Sequence, residues 1–598
     1  MRLANPCPNL ASAEFVPEKM LLVLRSGKSF YHGLSLLSQV DTPDAEDETA
    51  AAPKIELLSE THVAATVSSS LWKKKTQHYV FAADGVRHWI ELEGEGTVDR
   101  LHFGRGILNG LRLGSTPGYT QFFNPLPNFI EKQQFHAAEF SSIAAGNTAE
   151  ILAQVRGCGL HGAPLCFVAH EENRAPFMAA GILAKPGEYI FNSFDVNYLG
   201  DTDRKQIAEP IIGTQSFSLA YHGHLKISGK WTSPTLLLDF SGTSCLDAVA
   251  RYVATLGVPP RRRSVPAWTR RPVFCTWHEQ CAVHFGRLAA NSSQTIKEAE
   301  SANTIFDELT QANCGRWLRA LNAKGLKPGT LILDAKWQRN AGDPSVDTKK
   351  FPDLRGFVDA CHAQGVRVIL WHNGWDADGV PDAERCRVDG KPGPTDPTNP
   401  AFQRRLSNYV VRMLSDKPGC YNADGLKVDG MTNTPYGPTL ETHVSLAGFE
   451  LARALLELLH AAAVEAKPDA AIGQFTGFPY FGDLCELART GDLYTVKGDP
   501  NSANAFRAAI QNLAMPGVPV DTDGALRFNY ILPDRDILEC QARIGVPCIY
   551  QAETLLQRRD LCLPQIKAMD DKLYADIAAT WERHQRNNST NNLTGARK

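Results

Sequence analysis

The amino-acid sequence predicts an antiparallel β-sandwich domain followed by a (β/α)8 TIM barrel. The first observation is length, because 598 residues are more than one hydrophobic core usually organises. The second is a change of hydrophobic period near residue 256, from short alternating stretches to apolar runs separated by amphipathic segments. The third is that about eight such runs follow the change, as a closed barrel requires.

Four segments follow from these patterns. Residues 1–257 are predicted to form the β-rich domain, because stretches such as "HWIELEGEGTVDRLHF" and "GEYIFNSFDVNYL" alternate and are separated by turn residues. Residues 258–271 are Pro-rich and basic and are predicted to be a linker with solvated arginines. The barrel is assigned to 272–584, and the polar segment 585–598 is predicted to be a disordered tail.

The predicted barrel strands alternate with predicted helices, which indicates a parallel sheet with crossover connections. The helical pattern is clearest at 353–365 and 443–466, and 563–585 is assigned as the eighth helix. The predicted strands are 272–277, 329–337, 366–375, 424–430, 470–477, 488–494, 517–524 and 545–553.

Composition limits the classes of partner. The formal net charge is -3, from 62 basic and 65 acidic residues, so nothing favours nucleic acid or an anionic membrane. No apolar run approaches the roughly 20 residues that span a bilayer, and the start lacks the pattern of a signal peptide, so a cytoplasmic location is expected. The 14 cysteines are scattered without a CxxC pair, which predicts reduced core thiols and neither a metal site nor a cofactor.

The predicted strands end in polar and aromatic residues, and the carboxyl ends of barrel strands are where such folds carry their chemistry. Aromatic faces stack on sugar rings, while carboxylates and cations bind hydroxyl groups, so this composition favours a carbohydrate substrate. Asp376, Asp378 and Asp521 are instead expected to be loop caps or solvated charges. The residues at the strand ends are Trp277, His278, Asp334, Lys336, Trp337, Trp371, His372, Lys427, Asp429, Gln474, Arg489, Asp492, Asp521 and Asp523.

Two of these carboxylates satisfy the requirement for cleaving a glycosidic bond. That reaction needs one ionised carboxylate, which attacks or activates water, and one protonated carboxyl group, which assists the leaving oxygen. Asp429 ends the fourth predicted strand and Asp492 lies on the sixth. They are therefore expected to face each other across the mouth of the barrel.

Three segments resemble a known group of enzymes. "LILDAKWQ", "GLKVDG" and "RTGDLY" resemble the second strand, the nucleophile strand and the acid/base strand of the retaining clan of melibiase-type α-galactosidases, raffinose synthases and α-glucosidases. "FCTWHEQ", "DGLKVDGMTN" and "ARTGDLYT" are similar to the raffinose synthase branch in particular. The resemblance covers roughly residues 245–560, and its order along the chain is more specific than any single motif.

The resemblance implies a role for each matching residue. Asp429 would be the nucleophile, and Asp492 the general acid and then the general base. An ion pair between Asp334 and Lys336 and a structural role for His372 are the alternatives to substrate contact at those positions. The residues expected to bind the sugar or to tune the two carboxylates are Lys427, Arg489, Asp334, Trp337, Trp371, His372 and Trp277.

Three functions remain open on the sequence. The first is a retaining α-glycoside hydrolase, with α-galactosides as the leading substrates. The second is a galactosyl transferase of the raffinose synthase type, in which a sugar acceptor in place of water would intercept the same covalent intermediate. The third is a non-catalytic sugar-binding scaffold. The segment "GQFTGFPYFGD" after the fifth strand departs from the pattern of melibiase-type enzymes, which puts α-galactoside specificity in question, and Ala335 stands where the clan more often has a second acidic residue.

Overall fold

The structure is a computed structural model. Of the residues predicted to lie at the barrel mouth, Asp492 and Asp523 fall outside the part of the chain that it describes. The described residues are 4–26, 30–117, 121–123, 125, 139–140, 158–159, 164–171, 174–198, 215–288, 298, 302, 304–474, 477–490, 500–522, 535–557 and 565–594.

A parallel sheet of eight strands forms the barrel, with the hydrogen-bonded order β7-β6-β5-β4-β3-β2-β1-β8. A parallel bridge between Asp521 and Val546 joins β7 to the segment before β8, so the barrel closes as predicted. Each observed strand overlaps one predicted strand. The strands are β1 (Val273–Cys275), β2 (Thr330–Leu333), β3 (Arg367–Asn373), β4 (Gly425–Asp429), β5 (Ala471–Gln474), β6 (Leu487–Arg489), β7 (Val520–Asp521) and β8 (Cys548–Ile549).

Helices surround the barrel, and the one after β2 shows why. Asp353 accepts a hydrogen bond from the backbone N–H of Gly356 (2.8 Å) and so caps the helix. Leu354, Phe357, Val358 and Cys361 then form a buried stripe at helical spacing. Between β5 and β6 the described residues form only the short 3-10 helix Pro479–Leu484. The α-helices after the other strands are Trp277–Arg287, Gln311–Ala323, Leu354–Ala363, Pro400–Leu414, Gly448–Ala466, Pro500–Ala514, Arg535–Ile544 and Asp571–Thr594.

The C-terminal segment differs from the prediction in two ways. Residues Gln565–Ala568, predicted to be helical, form a strand that pairs antiparallel with Thr554–Gln557. The helix that follows is capped by Asp570, whose carboxylate accepts the N–H of Leu573 (2.8 Å). It runs to Thr594, so residues 585–594 continue a helix and are not a tail. Its apolar stripe, which ends at Trp581, anchors it on the barrel.

The strand pairs of the N-terminal domain are mainly antiparallel, as predicted, with one parallel pair between Glu48–Thr49 and Arg105–Leu108. The long strand Gly85–Phe103 pairs with Gln215–Thr232 in the larger sheet, and edge-to-face contacts such as Phe15 on Tyr79 (6.2 Å) pack a smaller sheet against it. The other strands in the described residues are Ser12–Val16, Leu21–Ser26, Phe30–Ser35, Gln39–Asp41, Glu48–Thr49, Lys54–Ser59, His62–Val67, Lys74–Phe81, Arg105–Leu108, Leu111–Gly114, Thr116–Pro117, Gln121–Phe123, Glu139–Phe140, Cys158–Gly159, Cys166–Glu171, Arg174–Leu183, Ser193–Tyr198 and Thr235–Gly242.

The N-terminal domain contacts the barrel at the start of the helix Gly448–Ala466. The backbone N–H groups of Gly187 and Tyr189 both donate to Glu450 Oε1, at 2.7 and 3.1 Å. The ring of Tyr189 stacks on Tyr480 with centroids 4.1 Å apart. The helix after β4 therefore has a fixed position relative to the β domain. The helix Cys245–Leu256 completes the domain, and two small hairpins, Gln338–Asn340 with Asp343–Val346 and Arg385–Val388 with Lys391–Thr395, follow β2 and β3.

Contrary to the prediction, Arg261 and Arg263 of the linker are bound to the barrel, whereas Arg262, Arg270 and Arg271 are exposed. Arg261 donates to the carbonyl oxygens of Gly482 (2.9 Å) and Cys485 (2.8 Å). Arg263 forms an ion pair at 3.2 Å with Glu486, whose side chain is fully buried. The linker is therefore bound along the barrel by charge-assisted hydrogen bonds. Within the described residues no helix is long and apolar enough to cross a membrane.

Candidate active site

The strand β4 directs its polar and apolar side chains to opposite sides. Leu426 and Val428 are fully buried in the core shared with the helices. Lys427 and Asp429 alternate with them and remain partly exposed. Because side chains along a strand alternate between its two faces, Lys427 and Asp429 both point to the barrel interior, at its carboxyl end.

The carboxylate of Asp429 is held by two N–H donors. The indole Nε1 of Trp371, on the neighbouring strand β3, donates to Oδ2 at 3.0 Å, and the backbone N–H of Gly430 donates to Oδ1 at 2.8 Å. Gly430 has a φ of 72°, and a Cβ there would lie 2.3 Å from the Asn373 side-chain oxygen. Glycine is therefore required at the turn that orients Asp429.

Lys427 pairs with Asp334, at the end of β2. The Nζ atom lies 2.5 Å from Asp334 Oδ2, and the thiol of Cys275 donates to the same oxygen at 3.1 Å. The Asp334 Oδ1 atom accepts the N–H of Ala335 at 2.8 Å, and its own backbone N–H donates to Thr276 Oγ1. The alternative partner considered for Asp334, Lys336, instead has its Nζ over the ring of Phe306 at 5.5 Å.

Burial and pairing act in opposite directions on the pKa values of this pair. Burial alone would raise the pKa of Asp334, but Lys427 and the thiol of Cys275 outweigh it, so the pKa lies below the ordinary value of an aspartate. Burial alone would lower the pKa of Lys427, but Asp334 outweighs it and raises that pKa above the ordinary value. Both groups are therefore charged across the neutral range.

Arg489 ends β6 in a buried network. Its Nη1 lies 2.9 Å from Asp521 Oδ2 on β7, and its Nη2 donates to the hydroxyl of Tyr550 at 2.8 Å. Both charged side chains have exposures of 2% or less. Asp521, expected to be a loop cap or solvated, is a buried ion-pair partner because its strand ends inside the barrel. Arg489 thus joins three strand ends, and its burial argues against the predicted contact with sugar hydroxyls.

The three tryptophans that the sequence predicts to bind the sugar are all largely buried. Trp337 is fully buried and donates its Nε1 to the carbonyl of Trp371 at 2.9 Å, so it supports β3. Trp277 is 5% exposed within the apolar cluster of the barrel interior. Trp371 is 7% exposed, which leaves its hydrogen bond to Asp429 as its main contribution to the site.

His372 was expected to bind substrate, with a structural role as the alternative, and the structure supports the alternative. It follows Trp371 by one position and so faces the opposite side of β3, where its ring lies 5.4 Å from Tyr409 on the helix Pro400–Leu414. Its side chain is buried, and that burial lowers its pKa to about 4. A neutral imidazole behind the strand cannot reach a sugar at the mouth.

Sequence reasoning missed several residues of this region. Cys275 and Thr276 hold Asp334, and Tyr550 holds Arg489. Glu279 is fully buried, and its Oε1 accepts the N–H groups of Ala552, Glu553 and Thr554 at 2.6, 2.9 and 3.0 Å, which fixes the chain after β8. The signal for Glu279 in the sequence is an acidic residue in the first turn of the helix directly after β1. Among the described residues, no group of three metal-ligating side chains is positioned to hold an ion.

Comparison with known proteins adds information on the fold. No protein-family model matches the sequence, and no curated protein matches it. A GH36 α-galactosidase from Geobacillus stearothermophilus, solved with raffinose, is similar with a TM-score of 0.50 and 11% identity, covering 92% of this chain and 75% of that one. The likeness shows that this chain has the fold of the α-galactosidase clan, a TIM barrel with an N-terminal β domain.

Two further solved structures are similar at a slightly lower score. The α-galactosidase from Lactobacillus brevis has a TM-score of 0.49 and 11% identity, over 92% of this chain and 72% of that one. The α-galactosidase from Thermus thermophilus, solved with stachyose, has a TM-score of 0.48 and 15% identity, over 89% of this chain and 99% of that one.

Proposed function

We propose that the protein is a retaining glycoside hydrolase that removes terminal α-linked sugars, with α-galactosides as the leading substrates. The observation that carries this proposal is the position and hydrogen bonding of Asp429 at the mouth of the barrel. Its carboxylate is oriented by Trp371 and Gly430, while the lysine on the same face of the strand is committed to Asp334.

This arrangement suits a nucleophile. Within the described residues no cation lies at ion-pair distance from Asp429, so no ion pair neutralises a negative charge on its carboxylate. Each carboxylate oxygen accepts one N–H and keeps a lone pair for attack on an anomeric carbon. Two fixed donors also limit the rotation of the carboxylate, which favours a near-attack geometry.

Asp492 is proposed as the acid/base on the strength of the sequence, since it lies outside the described residues. It follows the last residue of β6, Arg489, by three positions. The buried network of Arg489 with Asp521 and Tyr550 fixes the strand end from which that segment continues. The carboxyl ends of barrel strands carry the chemistry of such folds, and β6 is separated from β4 by the single strand β5.

The proposed reaction has two steps. Asp429 attacks the anomeric carbon and forms a glycosyl ester, while Asp492 donates its proton to the departing glycosidic oxygen. Asp492, now a carboxylate, then removes a proton from water, which attacks the same carbon and releases Asp429. Two inversions at one carbon return the original α configuration, and the aspartates end in their starting states.

The choice of sugar rests on the resemblance of the motifs and on the shared fold. A protein of this fold has been solved with raffinose, which carries a terminal α-linked galactose. Lys427 is partly exposed at the mouth and presents N–H donors that suit a sugar hydroxyl. Asp334 is almost buried, and both of its oxygens already accept hydrogen bonds, so we infer a greater role in holding Lys427 than in binding sugar.

The test is release of nitrophenol from α- and β-linked nitrophenyl galactosides and glucosides by the wild type, Asp429→Ala, Asp492→Ala and the control Asp378→Ala. Asp378 lies exposed in the loop after β3, at the same end of the barrel. We expect cleavage of an α-galactoside, a loss of about a thousandfold or more in the first two variants, and no comparable loss in the control. NMR of the first product should show the α anomer.

Two further measurements decide between the remaining functions. Azide should restore turnover to Asp429→Ala and yield a β-glycosyl azide, because it replaces the missing nucleophile in a single inversion. Product analysis with galactinol as the donor, in the presence of sucrose or inositol, distinguishes hydrolysis from transfer to a sugar. Full activity in Asp429→Ala would reject the proposed nucleophile, and binding of sugars without turnover by the wild type would favour the scaffold function.

A further inference from the structure

A second cavity lies at the end of the barrel opposite to Asp429. Its volume is about 830 Å³, within the range of small-molecule sites. It is lined by the segments that enter β7 and β8, by the last residues before β1, and by parts of the helices Pro500–Ala514, Arg535–Ile544 and Asp571–Thr594. It is therefore separate from the proposed active site, which occupies the carboxyl ends of the strands.

The charges around this cavity are unbalanced. In the part of the chain that the structure describes, the cavity is lined by Arg270, Arg543 and Arg583 and by one carboxylate, that of Glu539. Arg583 and Glu539 approach each other only to 3.5 Å. Because one carboxylate cannot neutralise three guanidinium groups, the cavity has an excess of positive charge.

Two of the three arginines have no acidic partner among the described residues. The guanidinium of Arg270 makes one long hydrogen bond, to the carbonyl of Gly517 at 3.3 Å. Among the described residues, the one hydrogen-bond partner of the Arg543 guanidinium is the sulfur of Cys540, at 3.9 Å. Partial burial lowers the pKa of Arg270 from its ordinary value. Most of the N–H donors of both groups remain available to a ligand.

The imidazole of His584, buried in the wall of the cavity, has a structural role and carries no charge. His584 Nε2 lies 2.9 Å from the carbonyl oxygen of Arg270 and 2.9 Å from the amide of Asn588. Burial lowers the pKa of His584, so the ring is neutral at physiological pH. These contacts tie the linker to the last helix and hold Arg270 at the rim of the cavity.

We propose that this cavity binds a phosphate group, either free or carried by a sugar. Several guanidinium groups around one space match the oxygens of a phosphate, because the planar fork of arginine donates two parallel N–H bonds. The amides of Asn512 and Asn588 also line the cavity and suit the hydroxyl groups of an attached sugar. This site does not depend on the chemistry proposed for Asp429.

Titration calorimetry of the full chain tests the proposal, with inorganic phosphate and a hexose 6-phosphate as probes at constant ionic strength set by chloride. The variants are Arg270→Gln, Arg543→Gln and the double variant. Arg586→Gln is the matched control, because it lies exposed on the same helix as Arg583 but does not line the cavity. Circular dichroism confirms that each variant is folded.

We expect saturable binding to the wild type, about tenfold weaker binding in each single variant and a larger loss in the double variant. Arg586→Gln should bind within about twofold of the wild type. Tighter binding of the hexose phosphate than of phosphate would identify a sugar phosphate as the ligand, and equal binding would identify phosphate itself. No saturable binding to the wild type by calorimetry or by phosphorus NMR, or an equal loss in Arg586→Gln, would overturn the proposal.

Discussion

The ammonium group of Lys427 lies 2.5 Å from the carboxylate of Asp334. It does not pair with Asp429, which lies two positions further along the same strand. The partner is contributed by β2, which is separated from β4 by β3. The ion pair therefore spans the inside of the barrel. Asp334 neutralises the lysine, and among the described residues no cation lies at ion-pair distance from Asp429.

The first prediction concerns this pair. Asp334→Asn should lower the free energy of unfolding by about 3 kcal/mol or more, because it leaves a nearly buried ammonium without its anion. It should also lower kcat/KM, since Lys427 can then turn toward Asp429. Lys427→Met combined with Asp334→Asn should recover part of the stability, with a coupling energy of about 1–3 kcal/mol. Urea unfolding and initial rates of the three variants measure both quantities.

The pH dependence of stability follows from the two shifts. The depressed pKa of Asp334 stabilises the fold above the unfolded value of about 4, and this contribution is lost as the pH falls through the folded value. The raised pKa of Lys427 stabilises the fold below the unfolded value of about 10.4, and this contribution is lost as the pH rises through the folded value. The double variant should show a smaller loss at both extremes. Lys336→Met, which removes the other lysine considered as a partner of Asp334, should change neither the loss of stability in acid nor the loss in base.

The second prediction compares two adjacent residues of β3. Trp371→Phe removes the indole N–H from Asp429 and should lower kcat by about tenfold to a hundredfold, as expected for one hydrogen bond to a charged group. His372→Phe should leave kcat within about twofold of the wild type, because the ring packs on Tyr409 outside the barrel. An equal loss in both variants would show that β3 is merely sensitive to substitution.

The same histidine makes a prediction in acid. Its pKa is lowered to about 4 by burial, so below about pH 6.5 the unfolded chain binds a proton that the folded chain does not. The wild type should therefore lose about 3 kcal/mol of stability from this group as the pH falls from about 6.5 to about 4. His372→Phe should lack this component in urea unfolding measured across that range. An unchanged slope would contradict the burial of a neutral imidazole.

The strand ends could be predicted from the sequence because they depend on local patterns. The apolar run before Lys427 and Asp429, together with their spacing of two, was enough to place both on one face of a strand. The assignment of His372 to the site failed because a difference of one residue changes the face of a strand. Trp371 and His372 look equally suitable in the sequence, and only the barrel decides which one points inward.

Long-range partners could not be predicted. The pairing of Lys427 with Asp334 joins residues 93 positions apart, and that of Arg489 with Asp521 joins residues 32 apart. No local pattern distinguishes these carboxylates from solvated ones, so Asp521 was expected to be exposed. The same limit applies to Arg261 and Arg263 of the linker. A basic, Pro-rich segment has the composition of a surface loop, and that composition does not show which carbonyl or carboxylate groups of the barrel lie beside it.

The third prediction tests the linker. The guanidinium of Arg263 contacts the buried carboxylate of Glu486 at 3.2 Å and the carbonyl of Pro468 at 2.6 Å. Arg263→Ala should lower the free energy of unfolding by about 2–4 kcal/mol, because Glu486 loses its nearest cation and keeps the imidazole of His460 and, at 3.9 Å, the guanidinium of Arg261. Arg262, whose side chain is 46% exposed, provides the control. Its replacement by alanine should cost about 1 kcal/mol or less in thermal or urea unfolding.

The last prediction concerns Asp424, the residue before β4. Its fully buried carboxylate accepts hydrogen bonds from His362 (2.6 Å) and Arg367 (2.7 Å) and from the backbone N–H of Val368 (2.8 Å). Lys467 adds a contact at 3.3 Å. Burial alone would raise the pKa of Asp424, but His362, Lys467 and the other partners outweigh it and lower the pKa to about 2. The group therefore stabilises the fold above about pH 4, and its contribution of about 2.5 kcal/mol is lost as the pH falls toward 2.

Asp424→Asn should lower the free energy of unfolding at neutral pH by about 3–5 kcal/mol, since Arg367 and Lys467 lose their shared anion and His362 loses a hydrogen-bond partner. In acid, the free energy of unfolding of this variant should also depend less on pH than that of the wild type, because the variant has no carboxylate to protonate at position 424. Asp469→Asn is the matched control, as Asp469 pairs with the same arginine, Arg367, at 3.3 Å but is 49% exposed. It should cost less than about 1 kcal/mol. Equal losses in the two variants would mean that the shared arginine, and not the buried carboxylate, is what anchors the entry to β4.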